Sequence, residues 1–503
     1  MSTEKKKHQD RRKRRAAEIA NTFEWLITAF ILAFIFRAFV MEAFRIPTGS
    51  MADTLKGAHF RLRCRQCGYE YDYGFVPEKY RLPRDSMPHG PLRMYPARCP
   101  SCGFYQKTGG SMPVAGGDRI LVLKCIYQFF EPRRWDVVVF KNPLEPSINY
   151  IKRLVGLPKE TVEIIDGDIY INGLIARKPP RVQQELWMPV YDNDYQPVLP
   201  SQGQFNGHPW QCPLTNTAGS DWQIDPADPT RFRLDAGDGD VHTMTYRTDI
   251  GNDFRATYAY DDVRTYRFMP YCSDLMVRFC VTTGRTDGLI GINLGKYGRT
   301  YRGRVDFSGR MAITEVSDGT ESPLDSMAMP PIQTGRPIKV QFANVDHRLT
   351  LQVGRTKLSY DLGRGPDDAG PRKTDIEPQV GIFGSGRIVL SHVAIFRDIH
   401  YTSTKYGEGS DRGRATEGNP LVLGEDEFFV LGDNSPNSED GRWWSSPGKG
   451  NNGKTYRAGI VPRDYLVGKA VFVYWPSGFR PFDRFPFAAV PNVGKMRFIH
   501  GGR

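Results

Sequence analysis

Ser50 sits in Arg45-Ile46-Pro47-Thr48-Gly49-Ser50-Met51, where Pro47 and Gly49 fix and bend the backbone around a hydroxyl. A serine hydroxyl becomes a nucleophile only when a base takes its proton. Lys152 is a candidate base. It lies in the apolar run Tyr150–Val155, with Tyr150 and Leu154 on its own face and Ile151 and Val155 on the other. Apolar surroundings disfavour an ammonium and lower its pKa. Taken singly, Ser50 reads as a turn residue and Lys152 as a solvated strand residue. The later stretch Gly432–Arg442 (GDNSPNSEDGR) reads alone as a polar turn. Other hydrolytic patterns lack support. The chain has no His-Glu-x-x-His pair and no Gly-x-Ser-x-Gly elbow after a strand, and its nine histidines are scattered.

A second constellation is Cys64-x-x-Cys67-Gly with Cys99-x-x-Cys102-Gly. Two such pairs complete a tetrahedral zinc site, whereas in an oxidising compartment they would form two disulfides. The glycine after each pair favours metal knuckles, because the tight turn aims backbone N–H groups at sulfur. Cys125, Cys212, Cys272 and Cys280 have no metal spacing; Cys272 and Cys280 could pair or simply pack in a core.

The elements around these residues begin with a membrane segment. Trp25–Phe36 carries no charge, and Arg37 is the only charge before Glu42. The apolar stretch approaches the roughly 20 residues that cross a bilayer. Residues 1–21 form a basic tail that holds the N-terminus on the cytoplasmic side. The chain is expected to be a single-pass anchor at 22–41 in the cytoplasmic membrane, with everything later on the outer face. Ser50 then lies about nine residues beyond the anchor, at the membrane surface. This topology argues against nucleic acid as a partner, since tail and cysteine pairs fall on opposite sides.

Beyond the anchor the patterning is mainly β. Gly117–Leu123, Asp136–Phe140, Tyr150–Val155, Thr161–Ile165 and Asp168–Ile171 are short apolar or alternating runs, separated by Gly156-Leu157-Pro158 and by Asp-Gly and Asn-Gly turns. Phe428–Leu431 and Leu466–Tyr474 supply later strands. An antiparallel, barrel-like body follows, in three parts: 42–60, 108–180 and 401–503, the last opening with a linker over about 401–420. Residues 61–107 form a zinc-ribbon-like insert. Residues 181–400 read as an inserted β-sandwich, with strands such as Met276–Thr282, Ile338–Phe342 and Leu349–Val353, and a late strand pair in Gly381–Phe396. Their pattern resembles concanavalin/laminin-G-like jelly rolls.

In order along the chain, RIPTGSM, GDRILV at 117–122, VVVFKNP with NYIKRLVGLP at 137–158, and FFVLGDNSPNSEDGR at 428–442 resemble the sequence boxes of bacterial type I signal peptidases, the Ser/Lys proteases of family S26. The resemblance implies a serine endopeptidase that removes signal peptides from translocated preproteins without a catalytic cofactor. It implies Ser50 as nucleophile, Lys152 as base, and an oxyanion hole from the Ser50 N–H and the Thr48 hydroxyl. Gly432, Asp433, Asn434, Ser438, Asp440 and Arg442 match the last box. Ser438 would orient Lys152, and Asp440 would pair with Arg442, with Arg153 close by. Phe44, Ile46, Met51, Leu55, Tyr150 and Ile151 match positions lining pockets for small residues. The substrate would add as a strand beside Asp136–Phe140 or Tyr150–Val155. Implied partners are preprotein signal peptides, the lipid bilayer and the protein translocation machinery. The competing reading is a membrane-anchored binding protein that uses the sandwich on an inactive or specialised peptidase body.

Overall fold

A computed structural model describes residues 2–502 except 84–85, 89, 107–109, 226–227, 238, 406–411, 450–454 and 479–491, with side chains from residue 17 onward. Part of the expected linker, 406–411, lies outside the described residues. Helix α1 (Ser2–Ile35) runs through the basic tail into the apolar segment, and a π-turn over Phe36–Val40 continues it. Ala17–Val40 is long and apolar enough to cross a membrane, and its residues are exposed except at the end, where Ala38 and Val40 are half-buried. Trp25, Phe30 and Phe34 are exposed along it.

Strand β1 (Met41–Arg45) follows without a linker. A hairpin of β2 (His59–Arg63) and β3 (Glu70–Gly74) leads into the cysteine element. Strands β4 (Arg119–Leu123), β5 (Val137–Lys141) and β6 (Asn149–Gly156) come next. After the long insert come β7 (Glu427–Leu431) and β8 (Leu466–Trp475). They form one antiparallel sheet in the order β1–β4–β8–β5–β6–β7. Alternation explains why. Ile120 and Val122 turn inward from β4, and Val137 and Val139 from β5, into a core shared with Ile46, Met51 and Leu55. Val138, Phe140 and Leu154 face a second core with Phe428, Val430 and Trp444.

The insert is organised around one 19-residue strand, Gln379–Arg397, not the expected strand pair. Its first half pairs with Leu289–Lys296 and its second half with Leu275–Thr283. The Gly384-Ser385-Gly386 step, which reads as a turn in sequence, instead bends the strand from one layer into the other. Gly386 adopts φ +96°, where a side chain would be strained. Both layers share a core of Val277, Phe279, Ile292, Phe342, Leu351 and Ile382 with others. Arg299–Asp306, Arg310–Ser317 and Thr320–Ala328 extend one layer and are additional to the expected strands.

The insert joins the body through buried charge. Asp168, Asp274, Asp346 and Asp398 converge within 4.8 Å of one another. Lys178 Nζ pairs with Asp346 and lies 2.9 Å from Asp398, and Lys296 pairs with Asp274. The two ammoniums supply the countercharge that a cation would.

Candidate active site

Strand β1 delivers the chain into a tight loop carrying Ser50. The Ile46 N–H donates to Asp118 O at 2.8 Å, and the Leu55 N–H to Met51 O at 2.7 Å. The Asp118 carboxylate accepts from Lys56 N at 3.0 Å and Ser477 N at 3.2 Å, tying this loop to β4 and the end of β8. Opposite, β6 carries Lys152, which is 4% exposed. Its Nζ lies 2.6 Å from Ser50 Oγ. Burial lowers the Lys152 pKa to about 8; Asp440 pulls it up and Arg442 down by lesser amounts. A neutral amine is thus accessible near neutral pH, within reach of the hydroxyl proton.

The polar loop after β7 backs this pair. Asn434 N donates to Ser50 O at 3.1 Å. Gly432 passes so close to Ser50 O and to Ser438 that a Cβ would not fit. Arg153 and Asp433, both fully buried, form a two-pronged pair at 2.8 and 2.7 Å. Arg442 does the same with Asp440 at 2.9 and 2.8 Å. Burial pushes the Asp440 pKa up, but Arg442 and the hydrogen bonds outweigh it and hold the carboxyl charged. Each arginine beside Lys152 therefore has its own carboxylate.

The structure departs from the sequence expectations in three places. Ser438 is buried in the loop with its Oγ turned toward Gly432; it helps hold the Asp440 carboxylate charged and makes no hydrogen bond to Lys152 among the described residues. Ile46, Met51 and Leu55 are 2%, 0% and 0% exposed, so they form the floor under the loop; Phe44, Tyr150 and Ile151 are half-buried and can present surface to a peptide. Val137–Lys141 has partners on both sides and cannot accept another strand. The outer edges of β1 and of Asn149–Lys152 carry no partner strand among the described residues. Thr48 is exposed, and the Ser50 N–H has no acceptor among the described residues, leaving both donors free.

Four further residues hold the site in place. Ser435 Oγ accepts from Arg442 Nη1 at 2.7 Å and from Thr402 N at 2.8 Å. Asp118 pins the Ser50 loop. Tyr258 and Tyr260 arrive from the insert. Asp118 lies inside the GDRILV box and Ser435 inside the GDNSPNSEDGR stretch, so these two could have been singled out; Tyr258 and Tyr260 belong to no such box.

The four cysteines meet in one cluster. Cys64 and Cys102 sulfurs are 3.7 Å apart, as are those of Cys67 and Cys99. A tetrahedron of sulfurs about 2.3 Å from zinc has edges of roughly 3.8 Å. The Gly68 and Gly103 N–H groups close the knuckle turns onto Cys64 O and Cys99 O at 2.9 and 3.0 Å. The donor set fits a structural zinc ion; all eight cysteines are free thiols here.

Residues 98–199 and 397–475 match the family model described as signal peptidase, peptidase S26. Over those segments the chain is similar to the signal peptidase, peptidase S26 family. Signal peptidase I of Rickettsia canadensis (strain McKiel) is 31% identical over 151 residues, covering 30% of this chain and 42% of the relative. Signal peptidase I of Rickettsia prowazekii (strain Madrid E) is 31% identical over 141 residues, covering 28% of this chain and 39% of the relative. The chain thus spans about two-fifths of these relatives' length. Among solved structures, a carbohydrate binding module from Bacillus subtilis covers 37% of this chain and 99% of its own at 10% identity and a TM-score of 0.24. A Caenorhabditis elegans galectin covers 25% of this chain and 87% of its own at 14% identity and a TM-score of 0.20. Likenesses this loose say nothing about what the insert does. The S26 match brackets the insert, and its two parts carry Lys152 and the Gly432–Arg442 loop.

Proposed function

We propose that this chain is a membrane-anchored serine endopeptidase that removes signal peptides from preproteins emerging on the outer face of the cytoplasmic membrane. The observation that carries the reading is the 2.6 Å approach of the buried Lys152 amine to Ser50 Oγ inside an S26 body. Neutral Lys152 takes the Ser50 proton as Oγ attacks the scissile carbonyl, giving a tetrahedral intermediate and an ammonium. The Ser50 N–H and Thr48 hydroxyl stabilise the oxyanion. Lys152 then returns the proton to the leaving amine, and water releases the acyl-enzyme by the same route. The substrate lies extended along the open edges of β1 and Asn149–Lys152, its small side chains facing Phe44, Tyr150 and Ile151. Residues 1–21 remain in the cytoplasm, and the translocation machinery delivers the substrate to the membrane surface.

The test uses the detergent-purified full chain and a preprotein with a small-x-small cleavage site. Wild type is expected to release the signal peptide, and Ser50→Ala to lose essentially all activity. Normal cleavage by a correctly folded Ser50→Ala would sink the mechanism. An inactive wild type would instead favour the binding-protein reading.

A further inference from the structure

A short segment of the insert leaves the sandwich and lies against the Ser50 loop. This strap runs over residues 256–262. Its base is fastened to the insert. Ala256 N donates to Pro270 O at 2.9 Å, Tyr266 Oη donates to Tyr258 O at 2.6 Å, and Arg397 donates to Thr257 O while its guanidinium covers the Tyr258 ring.

The other face of the strap touches three parts of the site. Tyr260, 6% exposed, is wedged between Gly49 and Gly74, and its ring fills the space where either glycine would carry a Cβ. Its hydroxyl donates to Ala58 O at 2.8 Å, and its carbonyl accepts from Gly74 N at 2.9 Å. One side chain therefore fixes both ends of the Ser50 loop and its junction with the cysteine hairpin. Tyr258 Oη donates to Asp433 O at 3.0 Å, and Asn434 Nδ2 donates to Asp261 Oδ1 at 2.8 Å. These reach the loop whose Asn434 N–H holds Ser50 O. Tyr258 and Tyr260 also close a small apolar cluster with Ala52, two residues past Ser50.

We infer that the strap is a positioning element for the Ser50–Lys152 pair, so that the insert supplies part of the catalytic geometry of the body into which it is spliced. The inference rests on the peptidase reading above. Tyr260 is the principal positioning residue: its ring sets the path of the backbone at Gly49, and that path sets where Oγ lies relative to Nζ. Asp261 is the second, acting through Asn434. Neither touches substrate. Displacing a reacting atom by a fraction of an ångström lowers turnover more than binding.

The test measures kcat, KM and thermal melting of the full chain with the same preprotein, for wild type, Ser50→Ala, Tyr260→Ala, Tyr260→Phe, Asp261→Ala and Asp261→Asn. Tyr260→Ala is expected to lose about tenfold or more in kcat with KM within about twofold, while the folded fraction is unchanged. Tyr260→Phe keeps the wedge and is expected to retain most of the rate. Asp261→Ala is expected to lower kcat, and Asp261→Asn, which still offers Asn434 an acceptor, to restore it. If Tyr260→Ala does not fold, the Asp261 pair decides. Wild-type kcat in the folded alanine variants, or a loss matching only the loss of folded protein, would overturn the role. An inactive wild type, or an active Ser50→Ala, would bring down the peptidase reading and the strap's role with it.

Discussion

In the proposed mechanism Lys152 is the base, and where it is buried suits it to that role. Only the neutral amine can take the Ser50 proton, and burial lowers its pKa to about 8. The neutral fraction therefore grows as pH rises through that value. We expect kcat/KM to rise about tenfold per pH unit below it and to flatten above. A profile flat between about pH 6 and 9 would exclude Lys152 as the base. The same shift has a stability sign. The unfolded lysine keeps its ordinary, higher pKa, so the folded state is penalised in full below about 8 and relieved as pH rises from there toward the unfolded pKa. Lys152→Met, which removes a buried ammonium lacking a carboxylate at contact distance, is expected to abolish cleavage yet melt a few degrees higher than wild type at pH 7. A lower melting temperature would mean that the ammonium is better compensated than its contacts indicate. At this scale the sequence is informative only in combination. Ser50 and Lys152 are 102 positions apart, and their meeting depends on the β5–β6 register, which places Lys152 opposite Val138. The rotamer of Ser438 and the inward turn of Met51 depend on neighbours that no local pattern specifies.

Among elements, the cysteine hairpin is the one most dependent on a ligand. Its strands β2 and β3 carry Phe60, Tyr71 and Tyr73 into a small core that includes all four cysteines, and such small cores usually need a metal or a cross-link. We expect one zinc per chain by metal analysis. Chelation is expected to lower the melting temperature, and Cys67→Ser to do the same. No metal together with no titratable thiols would show disulfides instead. The elements themselves were largely legible. Alternation marks β4, continuous apolar runs mark β5 and β7, and the Cys-x-x-Cys-Gly repeats mark the knuckles. The added sandwich strands were hidden by composition. Arg299–Asp306 buries only Tyr301, Gly303 and Val305 between charged residues, and the inward glycine weakens the apolar period. The strap had no signal at all, because its contacts join residues 175 and 202 positions apart.

The whole molecule is held at its centre by an ionic joint between body and insert. Burial disfavours the Lys178 ammonium, but Asp346 and Asp398 outweigh that cost and hold it protonated. Its removal would leave buried carboxylates short of countercharge. Lys178→Met is therefore expected to cost about 3–5 kcal/mol in denaturant unfolding. A change below about 1 kcal/mol would mean that the remaining aspartates simply take up protons.

The strand Gln379–Arg397 gives this arrangement a mechanical character. One uninterrupted run of backbone belongs to both layers of the sandwich, so neither layer can peel away while the other stays whole. Its final residue, Arg397, grips the strap at Thr257 and Tyr258. The same strand that joins the two layers therefore also ties them, through one arginine, to the strap lying against the Ser50 and Asp433 loops.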